Sequence, residues 1–442
     1  MRFIKAHPIF VASLLLIVVG GPVLWAVVHW WADLKAILSD QFWFSVLLSL
    51  GLIGLIMTAV AYAILLERKL SAWIQDRYGP NRVGPFGLFQ PLADGLKFLL
   101  KEDIIPRYVD KVLFVFAPWM IFVVAMIGFA IIPWGGRFRW PWMAEGEFLS
   151  CQVASIDVGL LYLLAVGSLG VYGVVLGGWA SNNKYSFYGA MRAAAQMLSY
   201  EIPMGLVILV GILTTGSLRL EQMVDAQAAT VWGVGGLSWT LLYHPVAAVI
   251  LFITALAEAN RMPFDLAESE QELIGGYHTE YSAMKLALFF LAEYAHMITA
   301  SALMVAIYFG GYLIPGWTWL NESETALAMF ARLAVFSAKI GLFICLYMVI
   351  RWTLPRFRYD QLMRLAWKSL IPMGMAMVLL QVWILYRDLP QWYSTVGNVM
   401  ILAVAALSGA MAGRPITGRQ RSLVQRERRL VHGAANPAGS PR

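Results

Sequence analysis

Long apolar runs alternate with short polar segments along almost the whole chain. A helix needs about 20 predominantly apolar residues to cross the hydrocarbon core of a bilayer. On that criterion the pattern predicts ten membrane spans, and the expected fold is an all-α, polytopic transmembrane helix bundle. The predicted spans cover residues 9–31, 43–66, 112–134, 158–179, 193–214, 237–257, 286–309, 326–350, 370–386 and 396–412.

The first apolar run follows Arg2 and Lys5, which is also the charge pattern of a signal peptide. The run is too long for the apolar region of a signal peptide, and no small-x-small cleavage site follows it. We therefore predict that residues 9–31 form a membrane span.

The polar segment after the second span has a helical period of its own. Turn-forming residues come first, in Gly79-Pro80-Asn81 and Gly84-Pro85, and predict a bent, rigid chain. After Pro91, leucines at positions 92, 96, 99 and 100 share one face of a predicted amphipathic helix. Such a helix is expected to lie in the membrane interface. There it either covers an opening through which a lipid-soluble molecule enters or simply covers the end of the bundle.

The composition is that of a membrane protein, and it argues against several kinds of cofactor site on this chain. Hydrophobic residues make up 60% of the chain and charged residues 13%, whereas a soluble domain is about 25% charged. Two cysteines, Cys151 and Cys345, are too few for a cysteine-ligated iron–sulfur cluster or a disulfide framework. The six histidines have no ligand spacing, and no phosphate-binding glycine motif joins a strand to a helix. If the chain takes part in redox chemistry, the electron carriers belong to other chains.

The cations predict an orientation. If the N-terminus is cytoplasmic, 26 lysines and arginines fall on the cytoplasmic side and five on the other, while Arg332 and Lys339 lie within a span. Because positive charge concentrates in cytoplasmic loops, both termini and the acidic loop after the sixth span are expected in the cytoplasm. The basic tail, residues 414–442, is expected to be disordered or to lie on anionic lipid.

Carboxylates at membrane depth are the clearest functional signal in the sequence. Glu201 lies roughly 15 Å into the fifth span, Glu293 lies in the seventh, and Glu258 ends the sixth. An acidic loop adds further carboxylates at positions 265, 268, 270 and 272. Buried like charges raise one another's pKa, so such a set can exchange protons as a coupled group. The alternative for Glu201 is a structural role, paired with a lysine or hydrogen-bonded to a neighbouring helix, and for Glu270 it is simple solvation. His296 follows Glu293 at i+3 and would more often be a hydrogen-bonder between helices than a proton relay.

Five stretches of the chain are similar to one known family. They lie at residues 67–103, 155–201, 257–282, 287–294 and 354–372, and include the specific motifs GPNRVGP and PFDLAESEQEL. On these residues the chain resembles the NuoH family, the quinone-chamber membrane subunits of respiratory complex I, the proton-pumping NADH:quinone oxidoreductase.

The resemblance implies a division of the chain. A family-like core of eight spans would occupy residues 43–390, with quinone-chamber loops at 67–111, 258–285 and 351–369. Residues 1–42 and 391–413 would add one span at each end, before the tail at 414–442. The roles of these two additional spans are open.

The resemblance also implies site residues and partners. The residues expected in the quinone chamber and in proton coupling are Glu201, Glu258, Asp265, Glu268, Glu270, Glu272, Glu293, Arg261, Arg68 and Arg82. Those expected at the quinone entrance are Phe86, Phe89 and Leu96. Quinone would be the substrate. Flavin and iron–sulfur clusters would be carried by partner subunits: peripheral-arm quinone-site subunits, small membrane subunits and antiporter-like subunits. The implied location is a bacterial inner membrane.

Two other functions compete with this interpretation. One is the related membrane subunit of a membrane-bound nickel–iron hydrogenase, against which the two full motifs weigh. The other is a stand-alone proton-coupled transporter, which the intramembrane charges alone would permit. No internal repeat of the kind typical of transporters is evident.

Overall fold

The structure is a computed structural model that describes residue 35 and residues 39–229, 237–266 and 275–412. The predicted span at 9–31 and the tail at 414–442 lie outside the described residues. So do Glu268, Glu270 and Glu272 of the acidic loop.

Eight described helices are long and apolar enough to cross a membrane. We number the helices in chain order. The long ones are α1 (Gln41–Ile74), α3 (Lys111–Ile127, continued by a 3-10 turn to Ile131), α4 (Gly159–Ala180), α5 (Lys184–Thr215), α9 (Ala283–Tyr308), α11 (Ala326–Thr353), α13 (Ile371–Tyr386) and α14 (Trp392–Ala412). A π-helical turn, Ala366–Leu370, joins α13 to the preceding α12 (Tyr359–Leu365) as one continuous span. The predicted all-α, multi-pass membrane fold is confirmed.

The remaining elements are short. They are α2 (Gln90–Leu100), α6 (Leu220–Ala226), α7 (Thr240–Tyr243), α8 (Pro245–Glu258), α10 (Thr318–Glu322), 3-10 turns at Pro85–Gly87 and Gly276–His278, and an antiparallel pair of two-residue strands, β1 (Arg137–Phe138) and β2 (Leu149–Ser150).

The sixth predicted span differs from its prediction. Residues 237–257 were expected to form one helix, but α7 ends at Tyr243 and a new helix begins at Pro245. Proline has no backbone N–H and a fixed φ, so it suits the first turn of a helix and interrupts a continuing one. His244 between them has φ −131° and ψ 59°, which is not helical. The resulting α8 has 14 residues and a length of about 21 Å, less than a full crossing.

Polar caps determine where several helices begin. The side chain of Asp40 accepts hydrogen bonds from the first turn of α1, and Asp110 does the same for α3. Asn183 caps α5 and Thr325 caps α11. Each side chain satisfies backbone N–H groups that have no partner within the helix.

Burial distinguishes the centre of the bundle from its periphery. In the apolar part of α9, 72% of residues are buried, whereas the corresponding value for α14 is 11%. Helix α9 packs against α1, α3, α8 and α11, while α14 packs against α7, α8 and α13. The central helix is therefore the one that carries Glu293 and His296.

Helix α2 confirms the predicted amphipathic segment. It has no buried residue, and Leu92 and Leu99 are more than 60% exposed. The preceding loop bends tightly at Gly87, where φ is 77° and a Cβ atom would lie 2.2 Å from the carbonyl oxygen of Pro80. A side chain at this position would clash with the turn, so the loop requires glycine here.

Candidate functional site

A cavity of about 680 Å³ opens at one end of the bundle, between α1, α2, α9, α11 and the segment after α8. We call this the cavity end; the described residues of the opposite end include the loops around 131–158, 215–229, 237–244 and 309–326. Apolar lining comes from Phe98 and Leu99 of α2 and from Met284, Phe290 and Leu291 of α9. Polar lining comes from eight charged side chains and from Ser71, Asn260 and Tyr294. This combination is typical of a site for a mainly apolar ligand with a polar head.

An ion cluster made of Glu67, Arg261, Glu293, Tyr294 and Arg351 lies in the cavity wall. The Arg261 guanidinium is 2.5 Å from a Glu293 carboxylate oxygen and 3.3 Å from one of Glu67. Arg351 pairs with the other oxygen of Glu67. The hydroxyl of Tyr294 donates to Glu67 over 2.6 Å, and its ring lies 4.1 Å below the Arg261 guanidinium. The cluster joins α1, α9, α11 and the segment after α8.

Charge balance holds the ion cluster together. Glu67 and Glu293 have side chains about 10% exposed, and Arg261 about 12%, so the pairs are almost fully desolvated. Burial alone would lower the pKa of Arg261, but the carboxylates of Glu293 and Glu67 outweigh it and hold that pKa above its ordinary value. Two cations face two anions, so protonating either carboxylate leaves net positive charge in the wall of the cavity. An unpaired buried charge destabilises strongly, by about 3–5 kcal/mol.

The segment after α8 is held in place by α5. The amide nitrogen of Gln196 donates to the carbonyl oxygens of Ala257 and Phe264, over 3.0 and 2.9 Å. Farther along this segment, Asp265 lines the cavity and pairs with Arg356 over 3.3 Å. These contacts position Arg261 and Asp265 from a segment that has no regular secondary structure.

The rim of the cavity is an ion pair between α1 and α2. Arg68 lies 2.7 Å from Asp94, with the two side chains 46% and 24% exposed. Past the end of α2, Asp103 pairs with buried Lys285 of α9 over 2.7 Å. Helix α2 is thereby attached to the same two helices that carry Glu67 and Glu293.

Two further carboxylates continue inward from the ion cluster. Glu258 lines two small cavities, of about 40 and 30 Å³, and Glu293 lines the smaller of them. Glu201 on α5 accepts a hydrogen bond from Ser168 on α4. Glu201 and Glu258 are close enough for their charges to interact. The buried carboxylates therefore form a series from the large cavity: Glu67, Glu293, Glu258 and Glu201.

The structure brings some of the predicted site residues together and not others. Arg68, Arg261, Asp265 and Glu293 line the large cavity, and Glu258 and Glu201 lie deeper. Arg82, Phe86, Phe89 and Leu96 lie outside the lining and are exposed. Phe98 and Leu99 occupy the position on α2 that faces the cavity.

Sequence reasoning missed the importance of Glu67 and Arg351. Each directly follows the predicted end of a span, at residues 66 and 350, and so counted as a loop residue. In the structure α1 continues to Ile74 and α11 to Thr353, so both charges lie on helices. The apolar residues at helical spacing beyond Glu67, such as Leu70 and Trp73, were the available signal.

Metal-binding side chains do not converge in this site. Among the described residues, no group of three or more histidine, cysteine, aspartate or glutamate side chains is arranged to hold a metal ion. The chemistry available here is ion pairing, proton exchange and apolar binding.

The sequence matches a family model described as NADH dehydrogenase over residues 47–382. It is 50% identical to the first H-type subunit of the NADH-quinone oxidoreductase of Cytophaga hutchinsonii over 319 residues, which are 72% of this chain and 90% of that protein. It is 48% identical to the H-type subunit of the Leptospira biflexa NADH-quinone oxidoreductase over 336 residues, 75% of this chain and 91% of that protein. For the corresponding Rickettsia bellii protein the identity is 47% over 331 residues, 73% and 87% of the two chains.

Proposed function

The chain belongs to the NADH dehydrogenase family, and on that premise we propose that it is the membrane subunit of a proton-translocating NADH–quinone oxidoreductase. Its large cavity binds the substrate quinone, and its buried carboxylates couple quinone reduction to proton translocation. In this proposal, electrons arrive from flavin and iron–sulfur clusters on partner subunits.

One observation carries this proposal: a mainly apolar cavity of about 680 Å³ shares its wall with an ion cluster that begins a series of buried carboxylates. An isoprenoid chain suits the apolar lining, and a quinone head group suits the charged wall. Quinone reduction consumes two protons and transiently adds negative charge, to which the ion cluster can respond. Proton transfer along Glu293, Glu258 and Glu201 carries that response away from the cavity.

The proposal includes the setting of the subunit. A peripheral-arm subunit completes the chamber over the cavity end, and small membrane and antiporter-like subunits lie beside the bundle. The cavity end and both termini face the cytoplasm of a bacterial cell, in line with the distribution of cations. Glu268, Glu270, Glu272 and Arg82 contribute to the chamber and the subunit interface. The unit at 43–390 corresponds to the family core, and residues 1–42 and 391–413 are additions to it.

Replacing a buried carboxylate tests the coupling role. In complex purified and reconstituted into liposomes, Glu293→Gln and Glu201→Gln should reduce proton translocation per NADH oxidised while the complex still assembles. Glu145→Gln, at an exposed site far from the cavity, is the matched control. Wild-type stoichiometry in both buried variants would remove these residues from the coupling path.

Affinity purification of the tagged chain in mild detergent tests the setting. Flavin and iron–sulfur subunits together with antiporter-like chains are the expected partners. Recovery of nickel–iron hydrogenase chains, or of the protein alone and stable, would support one of the two competing functions instead.

A further inference from the structure

His296 lies on the central helix α9, one turn beyond Glu293. It lines both of the small cavities, and so does Glu258. The smaller cavity is also lined by Glu293. Both spaces therefore connect the imidazole ring to Glu258, and the smaller one connects it to Glu293 as well.

Both spaces are large and polar enough to hold water. Their volumes, about 40 and 30 Å³, exceed the roughly 10–15 Å³ that one water requires. The smaller has polar lining from Glu258, Asn260, Tyr277 and Glu293, in addition to the histidine. The larger has Glu258 and Thr299. A water molecule in either space finds the two or more polar partners that a buried water needs.

Two glycines of α4 create room beside these groups. A Cβ atom at Gly167 would lie 3.5 Å from Oε1 of Glu258, and one at Gly170 would lie 3.7 Å from Nε2 of His296. Residues three apart in a helix lie on the same face, about one turn from each other. The carboxylate and the imidazole thus contact adjacent turns of one smooth helix surface.

The ring is not committed to a structural hydrogen bond. Within the part of the chain that the structure describes, neither ring nitrogen of His296 is hydrogen-bonded to another residue, in contrast to His244, whose two nitrogens contact Thr214 and Asn398. The titratable groups around His296 are Glu258, Glu293 and Tyr277; α3 and α4 contribute apolar side chains and glycine to the lining. This arrangement differs from the expected hydrogen bond between helices.

We propose that His296 is a proton relay between Glu293 and Glu258. A neutral imidazole accepts a proton from the side of Glu293 on one ring nitrogen and releases a proton from the other nitrogen toward Glu258. Only O–H and N–H bonds form and break, through one water on each side, and no redox change is involved. This inference rests on the proposed function, since it supplies the step between two carboxylates of that path.

His296→Gln tests the relay in the reconstituted complex, because glutamine retains polarity and does not titrate. Proton translocation driven by NADH and quinone should fall by roughly 100-fold or more. The variant should also lose a histidine ring signal from the redox-induced infrared difference spectrum of complex labelled with isotopic histidine. Translocation within twofold of wild type, together with an unchanged spectrum, would overturn the proposal.

Gly170→Ala provides a second test that leaves the histidine in place. Its methyl group fits at van der Waals distance from the ring but fills part of the smaller cavity, so translocation should again fall. Gly205→Ala, where a Cβ atom meets nothing within 4 Å, is the matched control and should behave as wild type. If His296→Gln does not assemble, normal translocation in Gly170→Ala alone overturns the relay.

The two levels of proposal fail differently. If Glu258→Gln and Glu293→Gln lose translocation while His296→Gln and Gly170→Ala retain it, only the relay is wrong. If all four variants translocate protons normally, the carboxylate path itself is wrong.

Discussion

Helix α11 carries Arg351 at its cavity end and Arg332 and Lys339 in its opposite half, and the two halves neutralise these cations in different ways. At the cavity end, Arg351 pairs with the carboxylate of Glu67. Toward the opposite end, Arg332 donates to the backbone carbonyl oxygens of residues 137, 320, 321 and 323 over 2.6–3.1 Å. Lys339 donates to those of residues 309, 311 and 313 over 2.7–2.9 Å, with the ring of Trp239 at 4.7 Å.

The partners decide what each end can do. A carbonyl oxygen has no charge to lose, so the contacts of Arg332 and Lys339 are permanent while the loops keep their shape. A carboxylate can be neutralised by a proton, which frees the cation paired with it. Of the hydrogen bonds that these three cations make, only the one to Glu67 can therefore be switched by protonation of its acceptor. Buried charge by itself does not identify a functional site; the chemistry of its partner does.

The largest effect should follow from removing Arg261, which takes away the cation 2.5 Å from Glu293 and one of the two cations that face Glu67. We expect Arg261→Met to destabilise this end by about 3–5 kcal/mol and to abolish quinone reduction. Thermal unfolding and turnover of the purified complex measure both effects. Arg364→Met is the control, because that arginine is 69% exposed and pairs only with exposed Asp360. Near-normal turnover in Arg261→Met would show that the ion cluster is not required for the reaction.

Removing Lys339 should affect stability without affecting coupling. Lys339→Met leaves three backbone carbonyl oxygens without this donor, with an expected loss of roughly 2–3 kcal/mol. The amount of assembled complex should decrease, while the assembled fraction keeps the wild-type number of protons per NADH. An altered proton stoichiometry would contradict the comparison, since it would make this end part of the path.

Acid should loosen the cavity end through His278, which lies in the loop before α9. Burial lowers the pKa of His278 from 6.5 to about 4. The unfolded state therefore binds a proton first, so the stabilisation is complete above about pH 6.5 and is lost as pH falls toward 4. The loss approaches roughly 3 kcal/mol. Hydrogen exchange of residues 275–282 at neutral and mildly acidic pH measures it, and His278→Phe should remove the pH dependence. If the variant is as sensitive to acid as the wild type, a group other than His278 causes the loss of stability.

The smallest effect concerns α14, at the opposite end. Thr395 donates to the carbonyl oxygen of Leu242, and Asn398 to that of Tyr243, at the break between α7 and α8. We expect Thr395→Val to lower the free energy of unfolding by about 1 kcal/mol with turnover unchanged. Thr58→Val is the control, since its hydroxyl bonds only within α1. Lost turnover in Thr395→Val would mean that α14 serves the reaction and not only the fold.

Hydropathy predicted the fold because each span needs its own apolar length, which is a local property. Nine predicted spans coincide with described helices, the sixth as a broken one. Local reasoning also located Glu201, Glu258 and Glu293, since a charge within an apolar run is conspicuous. The prediction ended two spans just before Glu67 and Arg351, because a charged residue is taken to mark the end of a span unless its buried partner is known.

The pairs themselves could not be predicted from spacing. Glu67 and Arg261 are 194 positions apart, and their contact depends on how four segments pack. The same holds for Asp103 with Lys285, which are 182 positions apart. The small cavities beside His296 depend on glycines of α4. The sequence therefore could not show that, among the described residues, none is hydrogen-bonded to the His296 ring. The contacts that could not be predicted are those between segments that are distant in the sequence and meet only in the folded bundle.

The shortness of α8 has an electrical consequence. This helix is about 21 Å long, shorter than a hydrocarbon layer of about 30 Å, so a helix that starts at the opposite face of the layer places Glu258 inside it. The membrane potential falls across that layer, and one elementary charge crossing all of it exchanges about 2.3 kcal/mol per 100 mV. On the proposed coupling path, a proton that reached Glu258 from the cavity would already have moved through part of this voltage. Protonation of Glu258 would then respond to the membrane potential, which would oppose or assist the step directly.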